Sequence, residues 1–510
     1  MKEFVLKSGE ILLYKGNPNF DKLEDLSEGS GDIWHSSFEQ GYKNAFPELV
    51  YQTAVFFWYL NDFDDLDECI SWRINPNHFV VRKEVWKSLG GFDVEYTNSQ
   101  MQAFDFGYNA LRVSGAIPLY SKGLFSVNTK EKINITAKDR YIFFRKNFKI
   151  DHSLYMIFRE GLWKYSEWNS FFYAKNKFKQ TVLKPTMQHR QLKQIEGNPT
   201  VSYIIPTMMR QDFTLQLLDD LTNQSYLVTQ VVIVDATPEN QRNESLYKAK
   251  KYPFELILKW QTTKGSCRAR NEAIEFCTGD YIVFGDDDIR VPSNYIENHI
   301  RFLQTYNAGA CNGLDIRADH QKQDLHDLQK KLDNYGNNRF LTGATQLFNN
   351  ANNCVNRKFV NQLIGNDVNF DGGYGEDNDF GMSLAKIGVI VLQNPFSTNL
   401  HLKPSSGGYR FWGAQAKIMG KKRKILPWEL DMPVKGIRPV PSPTIMYGII
   451  KHFTPQQTLE YKYKHFFLYL FKGSKIGFIY RLLCFPYKNI QYKKSVFYAK
   501  KLIDLGIRHQ

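Results

Sequence analysis

Short apolar runs alternate with helix-spaced segments between residues 201 and 303, and this alternation constrains the chain more than any other feature. Val201-Ser-Tyr-Ile-Ile205 reads as a buried strand that stops at Pro206. From Asp212 to about Gln224, Phe213, Leu217, Leu218 and Leu221 fall at helical spacing, with Asp212 as a candidate cap. Residues 231–234 form a second strand that ends at Asp235, and residues 254–258 a third. The spacing predicts a helix over 266–277, then a fourth strand over 281–284 that runs straight into Asp286-Asp287-Asp288. Pro292 and Ser293 open a further helix to about Leu303. Alternation of this kind implies an α/β fold with a parallel sheet and right-handed crossovers. Ligands bind such sheets off the carboxyl ends of the strands. Pro206, Asp235 and the Asp triplet all sit at those ends.

Four local patterns carry chemistry. Three adjacent carboxylates after an apolar strand repel one another, and burying them is costly unless a cation neutralises them. Hard oxygen ligands suit Mg or Mn held together with a substrate's phosphates. A solvated acidic turn is the alternative reading of the triplet alone. Lys264-Gly265-Ser-Cys-Arg268-Ala-Arg270-Asn271 places a glycine and basic groups at a helix start, where free N–H groups favour anions. An ordinary amphipathic helix start accounts for it equally. Gly375-Glu376-Asp377-Asn378-Asp379 lies in a glycine-rich turn leading into a helix. Its acids are either caps or a general base set at a pocket rim. His401 stands alone in Leu-His-Leu-Lys-Pro-Ser-Ser-Gly-Gly and gains weight only from its neighbours.

Taken in order, residues 200 to about 412 resemble a GT-A-fold (Rossmann-like) glycosyltransferase of the family 2 type. The resemblance rests on VSYIIPTMMR, VVIVDAT, KGSCRARNEAIEFCTGDYIVFGDDD, GGYGEDNDF and the late His401. It implies a donor side formed by Pro206, Thr207, Arg210, Asp235, Lys264, Arg270, Asp286 and Asp287. It implies a divalent metal, Mn or Mg, held by Asp288 and His401 with Asp286. It assigns the base to Asp377 and an acceptor contact to Glu376. The activity it implies is inverting transfer of a sugar from a nucleotide-sugar, UDP-linked by expectation, to a hydroxyl of a polysaccharide or lipid-linked glycan. An inactive GT-A-like scaffold and a sugar nucleotidyltransferase are the competing readings. Intact acids disfavour the first, and the Glu-Asp pair in a glycine turn disfavours the second.

The first 195 residues contain an echo of the central segment. Asn75-Pro-Asn77-His-Phe-Val80-Val-Arg82-Lys83 matches Asn350-Ala-Asn352-Asn-Cys-Val355-Asn-Arg357-Lys358 at an offset of 275. Asp105-Phe106-Gly107 matches Asp379-Phe380-Gly381 at an offset of 274, and each is followed by a short helical run and a glycine. Two matches in one order imply a partial duplication of the acceptor-side half. At that offset Glu376 falls on Gln102 and Asp377 on Ala103. The copy has no counterpart of the donor motifs, and Asp62-Phe-Asp-Asp65 has no strand leading into it. Residues 1–195 are therefore expected to form a degenerate, non-catalytic domain, and 196–420 the catalytic one.

Charge marks off the remainder. The formal excess is +14 over 510 residues, and residues 421–510 alone carry 18 Lys or Arg against four acids, so the excess lies there. Five prolines between 427 and 443 read as a linker or extended wrap, followed by a basic, aromatic, helical tail. Residues 445–510 fit an interfacial helix at an anionic membrane, or a helical pair packed on the core. No nucleic-acid module accompanies the charge. Residues 315–340 read as a polar surface insertion with a helical piece, and 341–415 as mixed structure. Six scattered cysteines form no CxxC pair, no apolar run approaches roughly 20 residues, and MKEFVLKSGE lacks an apolar core of a signal. The expected location is the cytoplasm, peripheral at the inner face of the cell membrane. The sequence leaves the oligomeric state open.

Overall fold

A computed structural model describes the chain except for residues 53–58, 64, 127–128, 182–188, 262–264, 373, 410–428, 430–431 and 472–475. Lys264, Pro427 and most of the apolar run at 53–60 lie outside the described residues. The chain divides into two units. One comprises residues 1–189, 341–344 and 453–483, and the other residues 190–340, 345–452 and 484–510.

The larger unit is built on an eight-stranded sheet. Its strands are β7 (Val201–Thr207), β8 (Gln230–Asp235), β9 (Glu255–Trp260), β10 (Tyr281–Gly285), β11 (Ile289–Arg290), β12 (Ala310–Arg317), β13 (Asn352–Asn356) and β14 (Val391–His401), in the order β11-β14-β12-β13-β10-β7-β8-β9. The four strands read from the alternation, β9, β8, β7 and β10, pair in parallel. The helices between them run over Gln211–Thr222, Ser266–Ile274 and Tyr295–Tyr306. The central strands are buried on both faces, which is why they read as continuous apolar runs. Ile204, Val232, Ile282, Phe284, Ala269, Phe380 and Val391 meet in one core. Each Val, Ile or Phe among them contributes about 1.5–3 kcal/mol on burial.

Beyond β10 the sheet changes direction. β13 pairs antiparallel with both β10 and β12, and β12 pairs parallel with β14. Here the sequence reading needs correction. β12 runs to Arg317 as an interior strand, so the polar insertion starts later than residue 315. Polar residues survive in this interior because each is bonded: Asn312 meets the 347 carbonyl, and Asp315 accepts from Asn399 at 2.8 Å. The helical piece follows as Leu325–Tyr335, started by a capping box between Asp324 and Asp327.

The smaller unit holds a six-stranded sheet. β1 (Lys2–Val5), β2 (Ile11–Lys15), β3 (Ile33–His35), β4 (Glu68–Ile70), β5 (Phe79–Arg82) and β6 (Pro118–Ser121) lie in the order β1-β2-β5-β3-β6-β4. β5 pairs antiparallel with β2 and β3, β3 pairs parallel with β6, and β4 closes antiparallel on β6. These are the relations that β13 has to β10 and β12, β12 to β14, and β11 to β14. Helices Lys83–Leu89 and Ser99–Asn109 follow β5 as Arg357–Leu363 and Glu376–Lys386 follow β13. In strand pairing, though not in the chain order of β4 and β11, this sheet parallels strands β10 to β14 of the larger unit.

Among the described residues of the basic region there are four helices. Pro443–His452 and Phe485–Leu505 belong to the larger unit, and Pro455–Phe471 and Ile476–Leu483 to the smaller. Among the described residues no helix is long and apolar enough to cross a membrane.

Candidate active site

The carboxyl ends of β7, β8 and β10 meet at one acidic, arginine-lined site. β7 ends at Pro206-Thr207, and the Thr207 hydroxyl donates to Asp287 at 2.7 Å. Arg210, at the start of the next helix, donates through one Nη to Asp287 and Asp288, both at 3.0 Å. Its Nε donates to the Ser406 carbonyl at 3.1 Å, which draws the loop after His401 over the Pro206–Arg210 loop. Asp235 at the end of β8 is fully buried. It accepts from the Thr237 amide and hydroxyl and from the Tyr247 hydroxyl. Asp287 and Asp235 therefore spend their oxygens on framing the loops. Burial pushes the Asp287 carboxyl up to about 6, with Arg210 opposing.

Asp286, Asp288 and His401 present ligand atoms all within 4.8 Å of one another. Asp286 is half-buried, whereas Asp288 and His401 are buried, so the cluster opens on one side. β11 brings His401 here, because Ile289, next to Asp288, pairs with it across the strands. The His401 Nε2 lies 3.2 Å from Asp288, and its Nδ1 lies 3.1 Å from Asp315. Burial alone would lower the imidazole, but these two carboxylates outweigh it and hold it up at about 9. A carboxylate on the far nitrogen is the arrangement that orients metal-binding histidines. Two carboxylates and an imidazole, oxygen-rich and open on one side, fit a divalent ion such as Mn or Mg.

The Glu-Asp pair opens helix Glu376–Lys386. Gly375 takes φ +111° at the cap, a left-handed conformation that suits glycine. The Asn350 amide donates to Asp377 Oδ1 at 2.5 Å, and Oδ2 has no partner among the described residues. Burial pushes both carboxyls up, Glu376 to about 8 and Asp377 to about 6, and mutual repulsion adds to the Glu376 shift. Arg270 connects this pair to the acidic cluster. It donates to Asp286 at 2.9 Å, and its charge opposes the rise of Asp377. Arg210 Nη2 and Arg270 Nε are buried donors with no acceptor among the described residues.

Three residues that sequence reasoning passed over support the site. Asp371 accepts from the Cys267 amide at 2.6 Å and pairs with Arg268 at 3.0 Å, so it caps the helix bearing Arg270. A Cβ on Gly265 would strike that carboxylate, which explains the glycine there. Asp315 fixes His401, and Asn350 fixes Asp377. Asn350 was within reach, because it opens the duplicated Asn-x-Asn motif. Asp315 was hidden in the segment read as an insertion.

The loop before Glu376 is tied to the end of the chain. Val368 donates to the Arg508 carbonyl at 2.8 Å, Asn369 to the Gly506 carbonyl at 2.7 Å, and Asn271 to the His509 carbonyl at 2.8 Å. Asp367 accepts from Tyr447 and Lys451, and Asp379 from Lys451 and His452, all on helix Pro443–His452. The basic helices of this unit thus pack on the core, one of the two arrangements expected of the tail.

Comparison with known proteins follows the same segment. Residues 202–364 match the family model "Glycosyl transferase family 2". Over 95 residues the chain is 28% identical to the putative colanic acid biosynthesis glycosyl transferase WcaA of Escherichia coli strain K12; the match covers 18% of this chain and spans about a third of that relative's length (34%). Among solved structures, GalNAc-T7 with UDP, GalNAc and Mn2+ is 14% identical with a TM-score of 0.34, covering 41% of this chain and 44% of that one. The mannosyltransferase PcManGT of Pyrobaculum calidifontis, with GDP-Man and Mn2+, is 19% identical with a TM-score of 0.33, covering 60% and 86%. The segment over residues 202–364, which carries the Asp triplet and both arginines, is thus the part of the chain that resembles glycosyl transferase family 2.

Proposed function

We propose that the chain is an inverting, metal-dependent glycosyltransferase. It moves a sugar from a nucleotide-sugar, with UDP as the expected nucleotide, to a hydroxyl of a polysaccharide or lipid-linked glycan. The observation that carries this reading is Arg270, which joins a three-ligand cluster to a half-buried Glu-Asp pair within one site. A divalent ion held by Asp286, Asp288 and His401 would neutralise charge developing on the leaving diphosphate. The spare donors of Arg210 and Arg270 suit the same phosphate oxygens. Thr207 and Asp235 shape the loops that hold the nucleoside.

The Glu-Asp pair divides its work by protonation. At neutral pH Asp377 is the ionised member, with Asn350 on Oδ1 and Oδ2 left for the acceptor hydroxyl. Glu376 stays protonated and donates a hydrogen bond to the acceptor. The acceptor oxygen attacks the anomeric carbon as its proton passes to Asp377. The bond to the diphosphate breaks on the opposite face, so the anomeric centre inverts. The enzyme is read as cytoplasmic and peripheral at an anionic membrane surface through 445–510. Residues 1–195 are read as a non-catalytic domain.

The test is nucleotide release from UDP-, GDP- and dTDP-sugars in the presence of Mn. Release from at least one donor, abolished by Asp288→Ala, is expected. Release from none of them defeats the reading.

A further inference from the structure

The smaller unit carries an apolar surface that its fold leaves uncovered. Helix Ile476–Leu483 is apolar on nearly every side, yet Ile479 is 66% exposed and Leu483 76%. Tyr480 and Leu482 are exposed beside them. The opposite side is fastened to helix Pro455–Phe471: Phe478 stacks on Phe471 at 5.5 Å, and Arg481 Nε donates to the Leu470 carbonyl at 2.9 Å. The helix is therefore held in place while its apolar side points outward.

That surface continues across the unit. Phe471 packs on Phe467 at 4.9 Å, and Phe467 on Phe158 of helix Ile150–Glu160 at 5.8 Å. Phe471, Phe158 and Leu154 are themselves exposed. At the end of helix Ile150–Glu160, Trp163 is 86% exposed and Tyr165 81%. Arg159 and Glu460 pair across the two helices and fix their mutual position. Single exposed apolar residues are ordinary, but a linked set of this size marks an interaction surface.

We infer that this face, formed by residues 154–165, 468–471 and 477–483, docks on a bilayer bearing anionic headgroups. Charge and residue type select that occupant. Residues 453–483 carry five Lys or Arg against one acid, Glu460. A second copy would bring the same positive face against this one, which repels. An anionic leaflet attracts it. Trp and Tyr are the side chains that settle at headgroup level, and a short apolar helix flanked by bases lies in the interface rather than across it. The reading deepens the membrane contact proposed above, and it moves that contact from the basic tail as a whole to the N-terminal unit with two tail helices. The N-terminal unit then has work of its own, as the part of the chain that meets the membrane.

The test is co-sedimentation of the full chain with vesicles of phosphatidylglycerol and phosphatidylcholine in equal amounts, against phosphatidylcholine alone, at low and high salt. Wild type sediments with the mixed vesicles and less with the neutral ones, and salt weakens the binding. The double variant Ile479→Ser, Leu483→Ser binds about tenfold or more weakly, and Trp163→Ser several-fold more weakly. These positions face solvent, so thermal unfolding of the variants stays that of wild type. Wild type left in the supernatant overturns the inference, and so does undiminished binding by the double variant. A concentration-dependent dimer that the double variant abolishes, without vesicle binding, also overturns it and assigns the face to a second copy. The assay uses neither donor nor metal, so its failure is separate from failure of the transferase reading.

Discussion

The N-terminal half-copy and the acceptor half of the larger unit share strand pairing and helix order, but they differ at the positions where chemistry would occur. In both, an aspartate in the second helix is buried and gripped. Asp105 accepts from Tyr96, Asn109 and Asn147, and Asp379 accepts from Lys451 and His452. In both, the matching asparagine holds a carboxylate: Asn75 meets Glu131 at 3.0 Å, and Asn350 meets Asp377 at 2.5 Å. The helix openings differ, with Gln102-Ala103 in one and Glu376-Asp377 in the other. What fastens the helix is present twice, and the Glu-Asp pair is present once.

The partners of the two aspartates also differ in charge. Asp105 is pushed up to about 6 by burial, since its donors are neutral. At Asp379 burial pushes the same way, but His452 and Lys451 overcome it and hold the carboxyl below its usual range. One aspartate is tolerated, and the other is half of a charge network.

The sharpest way to break the comparison is to exchange its chemistry. Asp377→Asn is expected to cut sugar transfer about 10²–10⁴-fold in steady-state assays. Adding Ala103→Asp to that variant is expected to restore nothing; recovered turnover would make the half-copy a second active site. Next in size is stability. Asp379→Asn leaves Lys451 paired with Asp367 alone and takes the charged acceptor from His452, and about 1–3 kcal/mol is expected to be lost in denaturant unfolding. Asp105→Asn is expected to cost far less, and its sign depends on pH. The folded carboxyl is raised, so the native charge is an increasing burden as pH climbs from about 4 through about 6. The variant should gain on wild type over that window and keep the gain above it, as unfolding at two pH values would show. Turnover abolished by Asp105→Ala without unfolding would contradict a purely structural role for Asp105.

The smallest effect expected concerns the asparagines. Asn350→Ala removes a donor that favours ionised Asp377, so the acid limb of kcat/KM, near pH 6 in wild type, should move to higher pH. Asn75→Ala should leave the limb in place. Equal shifts from both variants would show that the half-copy acts on the base.

Much of the donor side was legible because each of its strands is an apolar run with a polar stop. Pro206, Asp235 and Asp286 could be placed from that pattern alone. β12 and β13 were not legible in this way. Their interior positions are asparagines and an aspartate satisfied by partners far away in the chain, as Asn352 is by Asn399 and His299. A linear pattern reports apolar burial, whereas these residues are buried by long-range hydrogen bonds. The same blindness hid Asp315 and the support that Asp371 gives to the helix of Arg270. The tail divided between two units for a related reason, because the partners of Glu460 and of His452 lie hundreds and tens of residues away.

The stitches between residues 366–369 and 506–509 also set an order in time. During synthesis at about 5–20 residues per second, Val368 is added roughly 7–28 seconds before Arg508. The parallel strands can assemble in that interval. The loop that feeds the Glu-Asp helix cannot close its last bonds until the chain has reached Arg508. A newborn molecule can therefore hold the parallel strands before the segment leading to Glu376 and Asp377 has its last bonds, which wait for Arg508.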